Sequence, residues 1–143
     1  MDISVLPSED DYHALIESTS SSDEAVIIEF SAGACRACEA MEPKLLKFAS
    51  SWSQVRWFNI VYEDNPKLFK SLNVRVLPYF EIVSSGRKLD GFPCGPKRIE
   101  RIAQKLEEHG IRQPFRPWNW HSLRRQLQLG PSLRFRFWRR RAD

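Results

Sequence analysis

The stretch Val26-Ile27-Ile28-Glu29-Phe30-Ser31-Ala32-Gly33-Ala34-Cys35-Arg36-Ala37-Cys38 decides the fold. Val26 to Phe30 is apolar and β-branched without polar alternation, the pattern of a strand covered on both faces and therefore central in its sheet. One acid, Glu29, stands in this run against the pattern. After a short link, Cys35 opens a segment in which Met41, Leu45, Phe48 and Ala49 recur at helical spacing. Pro43 lies inside that segment and is expected to kink it. A Cys-x-x-Cys at the start of a helix, directly after a buried strand, has a chemical logic. Unpaired amides and the positive end of the helix dipole stabilise a thiolate at Cys35, and Cys38, one turn on, is within reach to close a disulfide. Cys35 is thus expected to attack and Cys38 to resolve. Arg36 adds a cation beside the attacking sulfur and is expected to lower its pKa further. A zinc site would need a second ligand pair, and Cys94, His13, His109 and His121 lie at unrelated spacings. Neither a metal nor an organic cofactor is expected.

Outward from this centre, Ser8 followed by Glu9, Asp10 and Asp11 reads as a capped helix start, with the helix running to about Ser18 and a polar loop from Thr19 to Asp23. Val55 to Tyr62 reads as a second apolar strand, and Asn65-Pro66 opens a short helix that ends before Asn73. Tyr79 to Val83 and Leu89 to Phe92 read as a hairpin about Ser84-Ser85-Gly86. Pro96 suits the first turn of a last helix whose stripe is Ile99, Ile102, Ala103 and Leu106, stopped by Gly110.

The 143 residues are one domain's worth, and 42% hydrophobic with 28% charged residues is the composition of a globular chain. No apolar run approaches the roughly 18–20 residues of a membrane span. Three cysteines, two of them in one Cys-x-x-Cys, fit a reducing compartment better than a secreted disulfide framework. Residues 1–11 are acidic and have neither a signal-peptide core nor the character of a transit peptide. The formal charge of +4 hides a split: residues 112–143 carry nine Arg, no Lys and one acid, which leaves the preceding residues with an excess of acids. This yields two regions, 1–111 as the folded domain and 112–143 as a basic Arg/Trp-rich extension expected to be disordered.

The apolar strand, Cys35-Arg36-Ala37-Cys38, the helix proline Pro43, and Val76-Leu77-Pro78 ahead of a strand together resemble thioredoxin over roughly 1–111. More narrowly, Lys70 to Phe80, Phe92-Pro93-Cys94 and Met41-Glu42-Pro43-Lys44-Leu45 resemble the atypical cysteine/histidine-rich thioredoxins of plant and algal plastids. The resemblance implies an α/β thioredoxin fold, a central mixed sheet flanked by helices. It implies a stromal protein whose comparatively oxidising dithiol takes electrons from target proteins and passes them to two-cysteine peroxiredoxins. With no transit peptide visible in the chain, a cytoplasmic location is the alternative. Pro78 matches the family's cis-proline, and Val76, Leu77 and Ala34 fall where a substrate docks. Glu29 matches the buried acid that takes the proton of the resolving cysteine. Cys94 falls beside the cis-proline, either as a third redox thiol or as a small apolar filler. Departures are equally specific: Ala34 replaces the tryptophan before the first cysteine, and Leu46 and Phe69 stand where the plastid group often has cysteines.

Two functions follow. The leading one is a monomeric thiol-disulfide oxidoreductase acting on protein disulfides and dithiols, with a potential less negative than thioredoxin's. The alternative is a thioredoxin-fold binding module whose extension, with Trp118, Trp120, Phe135, Phe137 and Trp138 among its arginines, binds nucleic acid or an anionic surface.

Overall fold

The computed structural model of the chain describes residues 2–113. Its sheet is built around β2 (Ala25–Ser31), in which every residue from Ala25 to Phe30 is buried. A strand that apolar on both sides is stable only with helices on both faces and partners on both edges. It has both: the five strands, β1 (Ser4–Val5), β2, β3 (Val55–Val61), β4 (Tyr79–Ser84) and β5 (Arg87–Pro93), run in the order β1-β3-β2-β4-β5. β1 and β2 pair parallel with β3, while β4 is antiparallel to both β2 and β5, so the sheet is mixed as expected.

Side chains alternate across the sheet. Ala25 and Ile27 face a cluster with Met41, Leu45, Phe80, Ile82, Ile102 and Leu106, which belongs to α2 (Arg36–Ser50), α4 (Glu100–Glu108) and the sheet. Val26, Ile28 and Phe30 face the other cluster, with Tyr12 and Leu15 of α1 (Glu9–Ser18) and Leu68 and Phe69 of α3 (Pro66–Ser71). Fully burying a side chain such as Met41 or Leu45 is worth about 1.5–3 kcal/mol, so these two stripes hold the helices to the sheet. The alternation assigns Glu29 to the α2 face. The antiparallel register Phe30↔Tyr79 brings Pro78 to the end of β2 from which the Cys35 segment departs.

Several boundaries differ from the sequence reading for local reasons. Residues 19–23 are not a free loop: Thr19 opens a short 3-10 turn and is fully buried, donating to the Ile16 carbonyl and accepting the Gly86 N–H at 2.9 Å. It thereby fastens the Ser85-Gly86 turn, whose residues have φ of 56° and 77°. β3 ends at Val61, and Tyr62–Asp64 form another 3-10 turn. α2 runs from Arg36 to Ser50 through Pro43, which is exposed, as is Glu39, whose carbonyl lacks the donor a proline cannot supply. The last helix starts at Glu100 instead of Pro96, because the Arg98 N–H bonds the Gly95 carbonyl at 3.1 Å, three residues back, and the Arg98 carbonyl takes the Cys94 thiol at 3.1 Å. The Ile102 N–H turns to Ile99 O instead, so Pro96–Arg98 stays a 3-10 turn. At the far end, Gln54 donates to the Arg112 carbonyl and Gln113 to the Ser51 carbonyl, so the body continues two residues past 111. The extension beyond Gln113 lies outside the described residues.

On the α1 face lies a charge that the sequence did not flag. Glu81 of β4 is wholly buried, accepts the Tyr12 hydroxyl at 2.6 Å and pairs with Lys88 of β5 at 3.0 Å. Burial and the Glu81 charge push the Tyr12 hydroxyl well up from its usual range, so it remains a donor. Burial pulls Lys88 down, but the hydrogen bond and charge of Glu81 prevail and raise it. A buried acceptor stripped of its donor costs about 1–3 kcal/mol. Tyr12→Phe is therefore expected to lower unfolding free energy by about that amount in urea titration, with an unchanged m-value. A variant as stable as the parent would mean that Glu81 does not depend on this hydroxyl.

Candidate functional site

β2 delivers the chain to the N-terminus of α2, and Cys35 is the residue at that junction. It is the N-cap of the helix, with extended backbone angles (φ −127°, ψ 103°), so its side chain turns back over the first turn. Its sulfur accepts the Cys38 N–H at 3.1 Å, and its carbonyl takes the Glu39 N–H at 3.1 Å. Cys35 and Cys38 are joined by a disulfide with α-carbons 5.2 Å apart. The two sulfurs are not equivalent: Cys35 is half-buried, whereas Cys38 retains 7% exposure. Ala34 and Arg36 on either side of Cys35 are exposed, and the preceding loop is moored where Gly33 N–H donates to Glu63 Oε1 at 2.8 Å.

Glu29 lies on the same face of the sheet as α2 and is 6% exposed. Burial pushes its carboxyl up to about 7; a hydrogen bond from Asn59 works the other way, and the negative charge of Glu42 adds to the rise. Glu42 lies on α2, one helical turn beyond Cys38. Asn59 sits opposite Glu29 in the β2–β3 register and also exchanges hydrogen bonds with Ser31, its amide donating at 3.0 Å. Strand alternation in the sequence puts Glu29 and Ser31 on one face, but Asn59 joins them only through the register of β3, and Glu42 only through the docking of α2.

Pro78 is buried and follows a cis peptide bond from Leu77. Val76 is 60% exposed and Leu77 half-buried, and neither carries a backbone hydrogen bond to another described residue. The Pro78 carbonyl accepts the N–H of Cys94 at 3.1 Å, so the backbone of Cys94 adjoins Pro78. The thiol itself turns inward: Cys94 is 4% exposed within the α2-face cluster, burial pushes its pKa up, and Arg101 only partly opposes this. The structure thus gathers Ala34, Cys35, Arg36, Cys38, Val76, Leu77 and Pro78 at one end of the sheet, with Glu29 below and Cys94 alongside.

Comparison with known proteins agrees with this arrangement. The family model described as Thioredoxin matches residues 4–108. Among curated relatives, the protein named "Thioredoxin-like 1-3, chloroplastic" of Arabidopsis thaliana is 36% identical over 93 residues, 64% of this chain and 34% of that protein. "Thioredoxin-like 1-2, chloroplastic" of Oryza sativa subsp. japonica is 30% identical over 92 residues, 64% of this chain and 33% of its own length. The match therefore spans about a third of these relatives. Among solved structures, Chlamydomonas reinhardtii thioredoxin f2 superposes with a TM-score of 0.68 at 19% identity, covering 78% of this chain and all of that one (100%). Fasciola hepatica thioredoxin does so with 0.66 at 20%, covering 75% and 99%. By its strand order, the placement of its cysteine pair and the extent of the family match, the chain belongs to the thioredoxin family.

Proposed function

We propose that this chain is a thiol-disulfide oxidoreductase acting on protein disulfides through Cys35 and Cys38. The observation that carries the reading is the asymmetry of the pair: one sulfur half-buried at a helix N-cap, the other buried on a helix that covers the sheet face of Glu29, whose carboxyl burial pushes up to about 7. In the reduced chain, the Cys35 thiolate attacks one sulfur of a target disulfide and expels the other as a thiolate. The Cys38 thiol then gives its proton to Glu29 and attacks the Cys35 sulfur, releasing the second target thiolate and closing the bond between Cys35 and Cys38. Two electrons pass to the target. The reverse sequence oxidises a target dithiol.

Ala34, Val76, Leu77 and Pro78 form the docking surface in this reading. Exposed Val76 supplies an apolar contact, and the unpaired backbone of Val76 and Leu77 offers an edge for an extended target segment. Cys94 has no part in the exchange: a buried thiol with a raised pKa is a packing residue, and its hydrogen bond to Arg98 shapes the start of α4. The chloroplastic names of the curated relatives support a plastid setting, where two-cysteine peroxiredoxins are one fitting class of partner. The arginine-rich extension is an accessory to exchange and not part of it.

Three outcomes are expected. Cys38→Ser traps mixed disulfides through Cys35, detectable on non-reducing gels, and Cys35→Ser abolishes insulin reduction; trapping by Cys35→Ser instead reverses the roles, and a parent chain without activity favours the binding-module reading. Arg36 stabilises the Cys35 thiolate and hence the reduced form, which makes the potential less negative than the roughly −270 mV of thioredoxin. Arg36→Gly should therefore move it to more negative values in equilibration with dithiothreitol, and an unchanged or less negative potential removes Arg36 from the argument. A chain ending at Gln113 should keep the parent's insulin-reduction rate, because the sheet, α4 and the hydrogen bonds of Arg112 and Gln113 are all retained. Failure of that chain to fold would make the extension structural.

A further inference from the structure

The buried carboxyl of Glu29 is held from the sheet side by an uncharged group. Asn59 lies directly across from it in the parallel β2–β3 register, and Asn59 is itself fixed by Ser31, with the amide donating to the hydroxyl at 3.0 Å and the hydroxyl within 3.2 Å of the amide oxygen. Glu29, Asn59 and Ser31 thus make a polar row on the helix-facing side of an otherwise apolar sheet, leading from beneath α2 to half-buried positions at the strand ends. The hydrogen bonds to Ser31 fix the Asn59 side chain beside its register neighbour Glu29, and hydrogen bonding of the amide to that carboxyl favours the ionised form. The groups around the carboxyl are few: its register neighbours Asn59 from β3 and Phe80 from β4 are uncharged, and α2 contributes the like charge of Glu42. Among the described residues no cation faces it. The amide is then the one neighbour that favours ionisation of Glu29, against burial and the like charge of Glu42.

We propose that Asn59, oriented by Ser31, is a positioning residue that holds the Glu29 carboxylate ready to accept the Cys38 proton, and so sets the pH range over which the resolving step runs. The proposal rests on the reading of Glu29 as proton acceptor. Its chemical content is that an amide in this place leaves the acceptor's affinity near neutrality, so resolution quickens as pH rises through about 7. Removing the amide leaves burial and Glu42 unopposed, and the acceptor then ionises only at higher pH. Below the inflection, each unit of upward displacement lowers the ionised fraction about tenfold.

The test uses the reduced full-length chain and 5,5′-dithiobis(2-nitrobenzoate). Attack by Cys35 releases one thionitrobenzoate, and attack by Cys38 on the resulting mixed disulfide releases the second, whose rate is followed in single turnover from pH 5.5 to 9. In Asn59→Leu the inflection is expected to move to higher pH, with a several-fold slower second release at pH 6.5. Ser31→Ala should displace it in the same direction by less, and Ser31→Thr, which keeps the hydroxyl, should restore the parent's profile. A carboxyl carbon titration of Glu29 by NMR should show the same order of midpoints. If Asn59→Leu folds and keeps the parent's inflection while Glu29→Gln loses it, Asn59 has no positioning role, although Glu29 stands. If Glu29→Gln itself keeps the inflection, the proton-acceptor reading fails and this proposal with it. If Asn59→Leu does not fold, Ser31→Ala decides: an undisplaced profile and an undisplaced Glu29 midpoint overturn the proposal.

Discussion

Everything at the site depends on β2 being paired on both edges and covered on both faces. A strand with Val26, Ile27, Ile28 and Phe30 at zero exposure has no freedom to shift register, since a slip by one residue would carry its apolar set to the wrong faces. Its end is therefore a fixed point, and the helix that follows begins at a fixed place. Cys35 owes its position as N-cap to this, and Pro78 owes its position to the antiparallel pairing of β4 with the same strand. Residues more than forty positions apart in the chain meet because a single strand organises both.

The fold carries two buried glutamates from adjacent central strands, and their surroundings separate them into different kinds of group. Glu81, facing α1, has a hydroxyl and an ammonium as partners, and its charge is spoken for by Tyr12 and Lys88. A buried pairing of this kind serves the connection of α1, β4 and β5 and is costly to disturb. Glu29, facing α2, has a neutral amide and a like charge in its vicinity, and it keeps its proton up to about pH 7. The same side chain thus stands in two different electrostatic surroundings, paired with a hydroxyl and an ammonium in one place and buried beside a like charge in the other, and the difference lies wholly in the neighbours.

Cys94 is sealed in the α2-face cluster and tied to the chain around it. Its N–H is tied to Pro78 and its thiol to Arg98, so one residue joins the end of β5 to the start of β4 and to the turn that precedes α4. Lys44 on α2 donates to the Pro96 carbonyl at 3.1 Å and closes the same corner from the other side. The segment between β5 and α4 is held on two sides as a result, next to the surface that Val76 exposes.

Much of the molecule was legible in the residues alone because the relevant signals are local. The apolar run of β2, the helical spacing of Met41, Leu45 and Ala49, the cap at Ser8 and the turn at Ser85-Gly86 each report on interactions within a few residues, and the Cys-x-x-Cys spacing is itself a helix-turn distance. Boundaries at Thr19 and Pro96 were not legible, since a buried threonine hydroxyl bound to Gly86 and a 3-10 turn closed by Arg98 on Gly95 and tied to the Cys94 thiol override local preference. Nor were Asn59 and Glu42 legible as neighbours of Glu29, because a strand register and a helix docking bring them there and neither leaves a mark in the spacing of the chain. The sequence by itself determined which residues carry sulfur chemistry and in which kind of element they sit. Tertiary structure alone decided which sulfur is reachable, which carboxyl is protonated and which thiol is sealed in, since exposure and electrostatic surroundings arise only when distant segments pack together.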